Sequence, residues 1–438
     1  MSIASTKDSG TVSMEKATMA TAMGNLVEWY EYGVYSYTAG IIGAQFFPGA
    51  STTAAFLNAF AVFAISFFFR PLGGLLFGSM GDRIGRKKIL TITIMMMSLA
   101  TAIIGLIPDY HSIGIFATIL LIIMRMVQGL AAGGEYGAAT VFMNESAPNR
   151  RRGLFTSFLE SGVLLGYILG SGFVAILTST LSTEAMTSWG WRIPFICSLP
   201  LALTGMYLRN KLDDTPIYNQ MKENQSLSRT PIREMFSTAK KPLLTSFGCI
   251  AFANGAYYTL LTYLPSYFET QVGLTALQSL LVTIAGMAFM MFLIAVVGML
   301  TDRFGRKLFL LLATGLTLLS AVPIFLFITS GSAIGPLVGF FALGILVSLF
   351  VGAHPSALPP LFPNRVRNSG YSFSYNISTA IFGGGAPYII TALTASTGSN
   401  LMPAYFLMGC AIVAITAILL IPETAKKPIT VDNVKQAS

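Results

Sequence analysis

The chain has 438 residues, of which 54% are hydrophobic and only 10% charged, with a mean hydropathy of +0.68. A soluble globular domain carries about 25% charged residues, so most of this surface must face lipid, and no stretch is left for a soluble enzyme domain. The formal net charge of +9 raises nucleic acid as a partner, a class excluded by where the charges fall.

About 20 apolar residues span a bilayer. Twelve such runs follow one another, near 20–45, 53–79, 88–107, 113–142, 153–178, 193–209, 242–268, 276–300, 307–328, 334–361, 367–395 and 403–421. Met1–Lys16 has no apolar segment of its own and does not read as a cleaved signal peptide. The first run carries Asn25, Glu28, Trp29, Tyr30, Glu31 and Tyr35. In a helix, Glu28, Glu31 and Tyr35 share one face. The second run carries Arg70 and leads into Gly78-Ser-Met-Gly-Asp82-Arg83-Ile-Gly85-Arg86-Lys87. The fourth holds Arg125 and Glu135, and the fifth holds Glu160. Glycines 162, 166 and 170 recur every four residues in that fifth run, a packing face expected at the moving interface between the two halves. The segment 210–241 is the longest polar one. Asn254, Tyr257 and Tyr258 fall in the seventh run, His354 in the tenth, and Tyr371, Tyr375 and Asn376 in the eleventh. Cys197, Cys249 and Cys410 all lie in apolar runs, so buried thiols are expected and not a disulfide framework.

The eighth run ends in Gly298-Met-Leu-Thr-Asp302-Arg303-Phe-Gly305-Arg306-Lys307, which repeats the first charged loop 220 residues later. A loop repeated at half-chain offset marks two homologous bundles. The chain therefore reads as an all-α membrane protein of two pseudo-symmetric six-helix bundles, 1–209 and 242–438, joined by a cytoplasmic segment 210–241. In each loop the first glycine (Gly78, Gly298) permits close helix approach, and Gly85 and Gly305 permit a tight turn. Asp82 and Asp302 are placed to accept hydrogen bonds from a neighbouring helix end or to pair with Arg83, Arg86, Arg303 or Arg306, latching the bundles at one side.

With the N-terminus in the cytoplasm, all 27 basic residues fall in cytoplasmic segments except Arg70, Arg125 and Arg192. That is the positive-inside pattern. The charge is a topology signal, with both termini cytoplasmic, and nucleic acid is excluded as a partner.

A charge at mid-bilayer costs several kcal/mol on insertion scales, so it marks a candidate for function. Glu28, Glu31, Arg70, Arg125, Glu135 and Glu160 qualify, all in the first half; the second offers only His354. Residue counts from the cytoplasmic helix ends put Glu28, Arg70, Glu135 and Glu160 near one level. Four acids, Glu28, Glu31, Glu135 and Glu160, face only two bases, so at least one carboxyl is expected unpaired, as a proton carrier must be. Glu135 with Glu28 or Glu31, and Arg70 as counter-charge, is the expected carrier set.

Both charged loops match the signature of the major facilitator superfamily between helices 2 and 3 and between helices 8 and 9. Gly24-Asn25-Leu-Val-Glu28-Trp29-Tyr-Glu31, Arg70-Pro71-Leu-Gly73-Gly74, Arg125-Met-Val-Gln128-Gly129, Gly133-Gly134-Glu135-Tyr136, Trp189-Gly190-Trp191-Arg192-Ile-Pro194-Phe195 and Asp214-Thr215-Pro216 resemble the metabolite:proton symporter family. Tyr257-Tyr258-Thr-Leu-Leu-Thr-Tyr263-Leu-Pro265 and Asn400-Leu-Met-Pro403-Ala-Tyr405 resemble its proline/betaine branch. The resemblance spans nearly the whole chain. It implies proton-coupled uptake of a small solute across a bacterial inner membrane, by a monomer in the lipid bilayer with a proton as coupling ion and no other cofactor or metal. It also ties Arg125 to coupling. Members of that branch often carry Asp where Glu31 and Glu160 stand here. Osmosensing members can carry a long coiled-coil tail; the 15 residues after Glu423 hold no heptads, so gating by such a tail is not expected.

A di- or tricarboxylate needs uncompensated cations, whereas acid exceeds base inside these helices and both arginines are expected to have acidic neighbours. A zwitterion such as proline or glycine betaine fits better, its carboxylate on Arg70 or Arg125 and its ammonium on a glutamate or an aromatic face. Trp29, Tyr30, Tyr257, Tyr258, Tyr263, Tyr371, Tyr375 and Phe382 supply rings, of which three are expected at a cavity. Asn25, Asn254, Asn376 and His354 supply polar contacts. A carboxylate:proton symporter of citrate, 2-oxoglutarate or shikimate type is the alternative. A non-transporting membrane sensor is the reading from another class, disfavoured by the intact loops and buried charges.

Overall fold

The computed structural model describes residues 8–49, 51–84, 86–209 and 231–425, with side chains for 22–49, 51–77, 92–207 and 232–425. Among them twelve helical rods follow the apolar runs closely. They are α1 (Asp8–Tyr37), α2 (Thr52–Ile84), α3 (Arg86–Leu106), α4 (Ile115–Ser146) and α5 (Arg152–Thr180), then α6 in two pieces (Arg192–Ile196 and Ser198–Arg209). The second six are α7 (Lys240–Tyr258 and on to Val272), α8 (Ala276–Phe304), α9 (Arg306–Ile328), α10 (Gly335–Val351 and His354–Ala357), α11 (Arg367–Ser378 and on to Thr397) and α12 (Met402–Leu420). Eight of the helical stretches are long and apolar enough to cross a membrane on length and composition alone. The others are interrupted, carry polar side chains or lie partly outside the described side chains. Of the middle segment, 210–230 and its basic residues lie outside the described residues, as do the tail from 426 and the start up to 7; Pro231–Thr238 is a short helix.

In lipid every backbone polar group must be satisfied within the protein, so helices dominate and irregular backbone is confined to protein-lined interiors. Helix α7 passes through π-helical turns at Thr259–Tyr263 and Phe268–Val272, and α11 through one at Thr379–Gly384. Helix α10 breaks at Gly352–Ala353, just before His354–Pro355. Such interruptions concentrate at functional sites, and α7, α10 and α11 all reach the central cavity described under the next heading.

Packing repeats with a shift of six helices. In the first half α1 lies along α5 and α6, α2 along α4, and α3 along α4 and α6; α7–α11, α7–α12, α8–α10, α9–α10 and α9–α12 are the matching pairs. The halves meet mainly through α5 with α8 and α2 with α11, a couple that exchanges under the same shift. A Cβ at Gly298 would stand 2.7 Å from the Gly153 carbonyl oxygen, so the α5–α8 approach at the start of α5 needs this glycine. The glycine face of α5 sits elsewhere than expected. Gly162, Gly166 and Gly170 pack against the backbone of α1 at Ala22, Leu26 and Tyr30, inside the first half and not at the moving interface. Small residues mark a close contact, but spacing alone does not say with which neighbour. The cysteines are free thiols, Cys249 and Cys410 buried and Cys197 half-buried.

Candidate functional site

A small cavity lies where the halves meet. Trp29 (α1), Tyr136 (α4), Glu160 and Val163 (α5) line it from one side, and Ala253, Asn254 and Tyr257 (α7), Val351 and His354 (α10) and Tyr375 (α11) from the other. Every lining side chain is buried. The Tyr136 hydroxyl donates to Glu160 Oε1, and the Tyr136 ring stacks on Tyr375 with centroids 4.1 Å apart and planes at 18°. Asn254 Nδ2 donates to Thr379 Oγ1 at 2.8 Å, in the π turn of α11. His354 packs beside the Phe350 ring at 6.0 Å. The cavity thus offers a carboxylate, the faces of Trp29 and three tyrosines, and neutral polar groups, with no Lys or Arg in its wall. That lining suits a cation, held by charge and by ring faces.

The other intramembrane charges lie off the cavity wall and take different hydrogen-bond partners. Arg70 Nη2 pairs with Glu28 Oε1 at 2.8 Å, and its Nε donates to Asn376 Oδ1 at 3.3 Å. Arg70 Nη1 has no hydrogen-bond partner among the described residues. Glu31 turns away toward α3, where its carboxylate accepts from Ser98 and Thr101. Its neighbour three residues back reaches α2, so the shared helix face splits between two partners. Glu135 is buried at the start of the second part of α4.

Arg125 corrects the charge count. It donates to Gln128 Oε1 at 2.8 Å, Ser66 Oγ at 3.0 Å and the Phe63 carbonyl at 3.3 Å, none of them acidic. The rings of Tyr35, Phe63 and Tyr32 enclose it, with its guanidinium carbon 4.2, 5.0 and 5.4 Å from their centroids. Gln128 in turn donates to Thr101 Oγ1, so a line of hydrogen bonds runs Arg125–Gln128–Thr101–Glu31. A side-chain count sees how many charges there are and not which neighbours neutralise them.

Several of the expected substrate contacts lie off the cavity. Asn25 donates to the Leu159 carbonyl at 3.4 Å, and the Tyr30 hydroxyl to the Pro194 carbonyl at 2.8 Å, both tying α1 to its own half. Tyr258 packs on Trp29, Phe63 and Phe67. Tyr371 lies behind Tyr375, ring centroids 6.2 Å apart. Asn376 Nδ2 donates across the halves to the Gly133 carbonyl at 2.6 Å. The residues missed are Tyr136, Gln128, Ser98 and Thr101. The first two sit inside motifs beside Glu135 and Arg125, which was the available signal.

Where the first turn of α5 meets the α8–α9 turn, the second charged loop forms a latch. Asp302 accepts from the backbone N–H of Gly153 at 2.8 Å and Leu154 at 3.1 Å, the first turn of α5. Arg306, buried, lies 3.9 Å from Asp302 and donates to the carbonyls of Ser356 at 2.9 Å and Thr424 at 3.1 Å. Gly305 turns the chain from α8 into α9 at φ 101°. Arg303 does not join the latch: it is exposed, beside the Phe304 ring. The matching side chains of the first loop, at Gly78, Asp82, Arg83, Gly85 and Arg86, lie outside the described residues.

The family model for sugar (and other) transporters matches residues 17–235 and again 219–433. The chain is 40% identical over 425 residues to the glycine betaine/proline/ectoine/pipecolic acid transporter OusA of Dickeya dadantii, covering 95% of this chain and 85% of that one. It is 39% identical over 426 residues to the proline/betaine transporter of Escherichia coli K12, with the same coverage of 95% and 85%. The ectoine/proline transporter ProP of Corynebacterium glutamicum is 38% identical over 427 residues, 94% of this chain and 85% of that one. Among solved structures, the proton:xylose symporter XylE bound to 6-bromo-6-deoxy-D-glucose superposes with a TM-score of 0.78 at 17% identity, covering 95% of this chain and 98% of that one. The inward-open form of XylE from E. coli gives 0.69 at 17% identity over 94% and 97%. The duplicated bundles, the central cavity between them and these matches agree: the chain belongs to the major facilitator superfamily of secondary transporters, in its sugar (and other) transporter family, with the proline/betaine transporters as relatives.

Proposed function

We propose that this protein takes up a small zwitterion, such as proline or glycine betaine, together with a proton. The solute site is the central cavity. Its lining carries the reading: one carboxylate, Glu160, ringed by Trp29, Tyr136, Tyr257 and Tyr375, with no fixed cation. An onium group gains from both the charge and the rings, while the solute carboxylate meets neutral donors such as Asn254 and His354. The names of the 38–40% identical relatives support the same solutes.

The proton belongs to Glu31 in this account. Glu28 is occupied by Arg70 at 2.8 Å, whereas Glu31 meets hydroxyl partners and reaches Arg125 only through Thr101 and Gln128. The halves 1–209 and 242–438 rock about the cavity in alternating access, joined through 210–241. The distribution of Lys and Arg supports an orientation in the bacterial inner membrane with both termini cytoplasmic; a cavity lined by one chain alone supports a monomer.

Uptake of labelled glycine betaine by transporter-deficient cells expressing this chain tests the reading. Uptake is expected to fall with a protonophore and to be competed by proline but not by citrate. Absence of uptake above vector, with the protein present in the membrane, overturns it. A carboxylate substrate would need Arg70 or Arg125, and neither is in the cavity wall: Arg70 is paired with Glu28, and Arg125 lies behind Tyr32, Tyr35 and Phe63.

A further inference from the structure

We infer that Tyr136 is a positioning residue that lets the cytoplasmic gate sense whether Glu160 is occupied. This rests on the cavity being the solute site. Two contacts of the same side chain carry it. The hydroxyl donates to the Glu160 carboxylate, which belongs to the cavity wall in the first half. The ring stacks on Tyr375, which belongs to the second half, with centroids 4.1 Å apart.

The stack is the inner end of a seam that closes the halves down to the cytoplasm. Antiparallel helices α4 and α11 run along it. Asn376 Nδ2 donates to the Gly133 carbonyl at 2.6 Å beside the stack. One turn further, a Cβ at Gly137 would stand 2.1 Å from Ser372 Oγ, so the two backbones nearly touch. Near the surface, Arg367 pairs with Glu145 at 3.1 Å. Positions 133, 137 and 145 on α4 meet 376, 372 and 367 on α11 in antiparallel register. Of these cross-half contacts, the Tyr136–Tyr375 stack is the one whose members line the cavity.

A phenol hydroxyl bound to a full carboxylate is a strong, oriented donor. It fixes the Tyr136 ring against Tyr375 while the cavity is empty, and the seam stays shut. A solute cation beside Glu160 neutralises much of the charge that the hydroxyl is bound to. The bond weakens, the ring is freed to turn, and the seam loses its inner contact. Closure of the empty carrier and opening of the loaded one then follow from one hydrogen bond.

The test places a reporter cysteine at Thr140, a fully buried position one turn toward the cytoplasm from Tyr136. The background has Cys197, Cys249 and Cys410 replaced by serine. Inside-out vesicles are treated with a membrane-impermeant thiol reagent, with and without glycine betaine. In the parent, labelling is expected to be slow and to rise with solute. Tyr136→Phe keeps the ring and removes the hydroxyl. Labelling without solute should rise about ten- to a hundredfold, the worth of a charge-assisted hydrogen bond, and should no longer respond to solute. Tyr375→Leu, which removes the stack, should raise it likewise. Parent-like basal labelling in Tyr136→Phe, present at parent levels in the membrane, overturns the inference whatever Tyr375→Leu does. If the parent takes up no glycine betaine, the solute assignment fails, and basal labelling in the empty carrier still decides the role of Tyr136.

Discussion

At the residue scale the intramembrane charges divide by partner. Glu28 and Arg70 form a pair in which both side chains are at most 1% exposed. Removing one partner of such a pair strands the other, at about 3–5 kcal/mol. Glu28→Ala should therefore lower thermal stability in detergent well beyond a surface substitution, and Arg70→Ala should do the same; a loss below about 1 kcal/mol for both would mean the pair is not buried as described. Glu31 predicts a different phenotype. Glu31→Gln keeps an acceptor for Ser98 and Thr101 but cannot carry a proton, so net uptake driven by a pH gradient should vanish while exchange of labelled for unlabelled solute continues. Loss of both would point to a structural role. That Glu28, Glu31, Arg70, Arg125 and Glu160 lie inside the protein and not against lipid was legible from the sequence, because charges in apolar helices are costly. Which charge faces which was not, since one face of α1 serves α2 at Glu28 and α3 at Glu31. Trp29, Tyr257 and Tyr375 reached the cavity while Tyr30, Tyr258 and Tyr371 did not. Aromatic side chains pack equally well against helices or ligands, and helix rotation alone decides between them.

At the element scale the α8–α9 turn joins fold to gate. Gly305 supplies the positive φ, and Glu423 beyond α12 accepts from the first N–H groups of α9, Arg306 at 3.1 Å and Lys307 at 3.0 Å, and from Ala425 at 2.7 Å. Burial opposes ionisation of Glu423, yet these backbone donors hold its carboxyl below the ordinary glutamate value. A carboxyl held low in the folded state stabilises above its unfolded value, and that contribution is lost as pH falls through the folded value. Glu423→Gln should cost about 1 kcal/mol at pH 7, discounted for partial exposure, with the difference shrinking as the medium is acidified into the carboxylate range. Melting curves of both proteins across pH check it, and a pH-independent gap would contradict it. The repeated glycine was a legible sign of close approach: Gly298→Val would drive side-chain carbon into the Gly153 carbonyl, so it should hold the start of α5 and the end of α8 apart and raise thiol labelling at position 140 in the empty carrier. The glycine face of α5 was legible as a packing face, but its neighbour, α1, was set by topology.

At the scale of the whole molecule, the duplicated loop and the twelve apolar runs carried the architecture, since 220 residues of offset fix a six-helix shift that the packing then repeats. The cavity was less legible because it is assembled from six helices, each contributing one to three side chains. Glu160 and its rings are the proposed solute site and Glu31 the proposed proton site, in one carrier that moves both together. The direct check is proton movement in proteoliposomes of the purified chain when glycine betaine is added outside. Proton-coupled entry should make the medium alkaline in step with solute uptake, with the same response to proline, none to citrate, and none from the Glu31→Gln protein. Solute entry without proton movement, or proton movement driven by citrate, would contradict it.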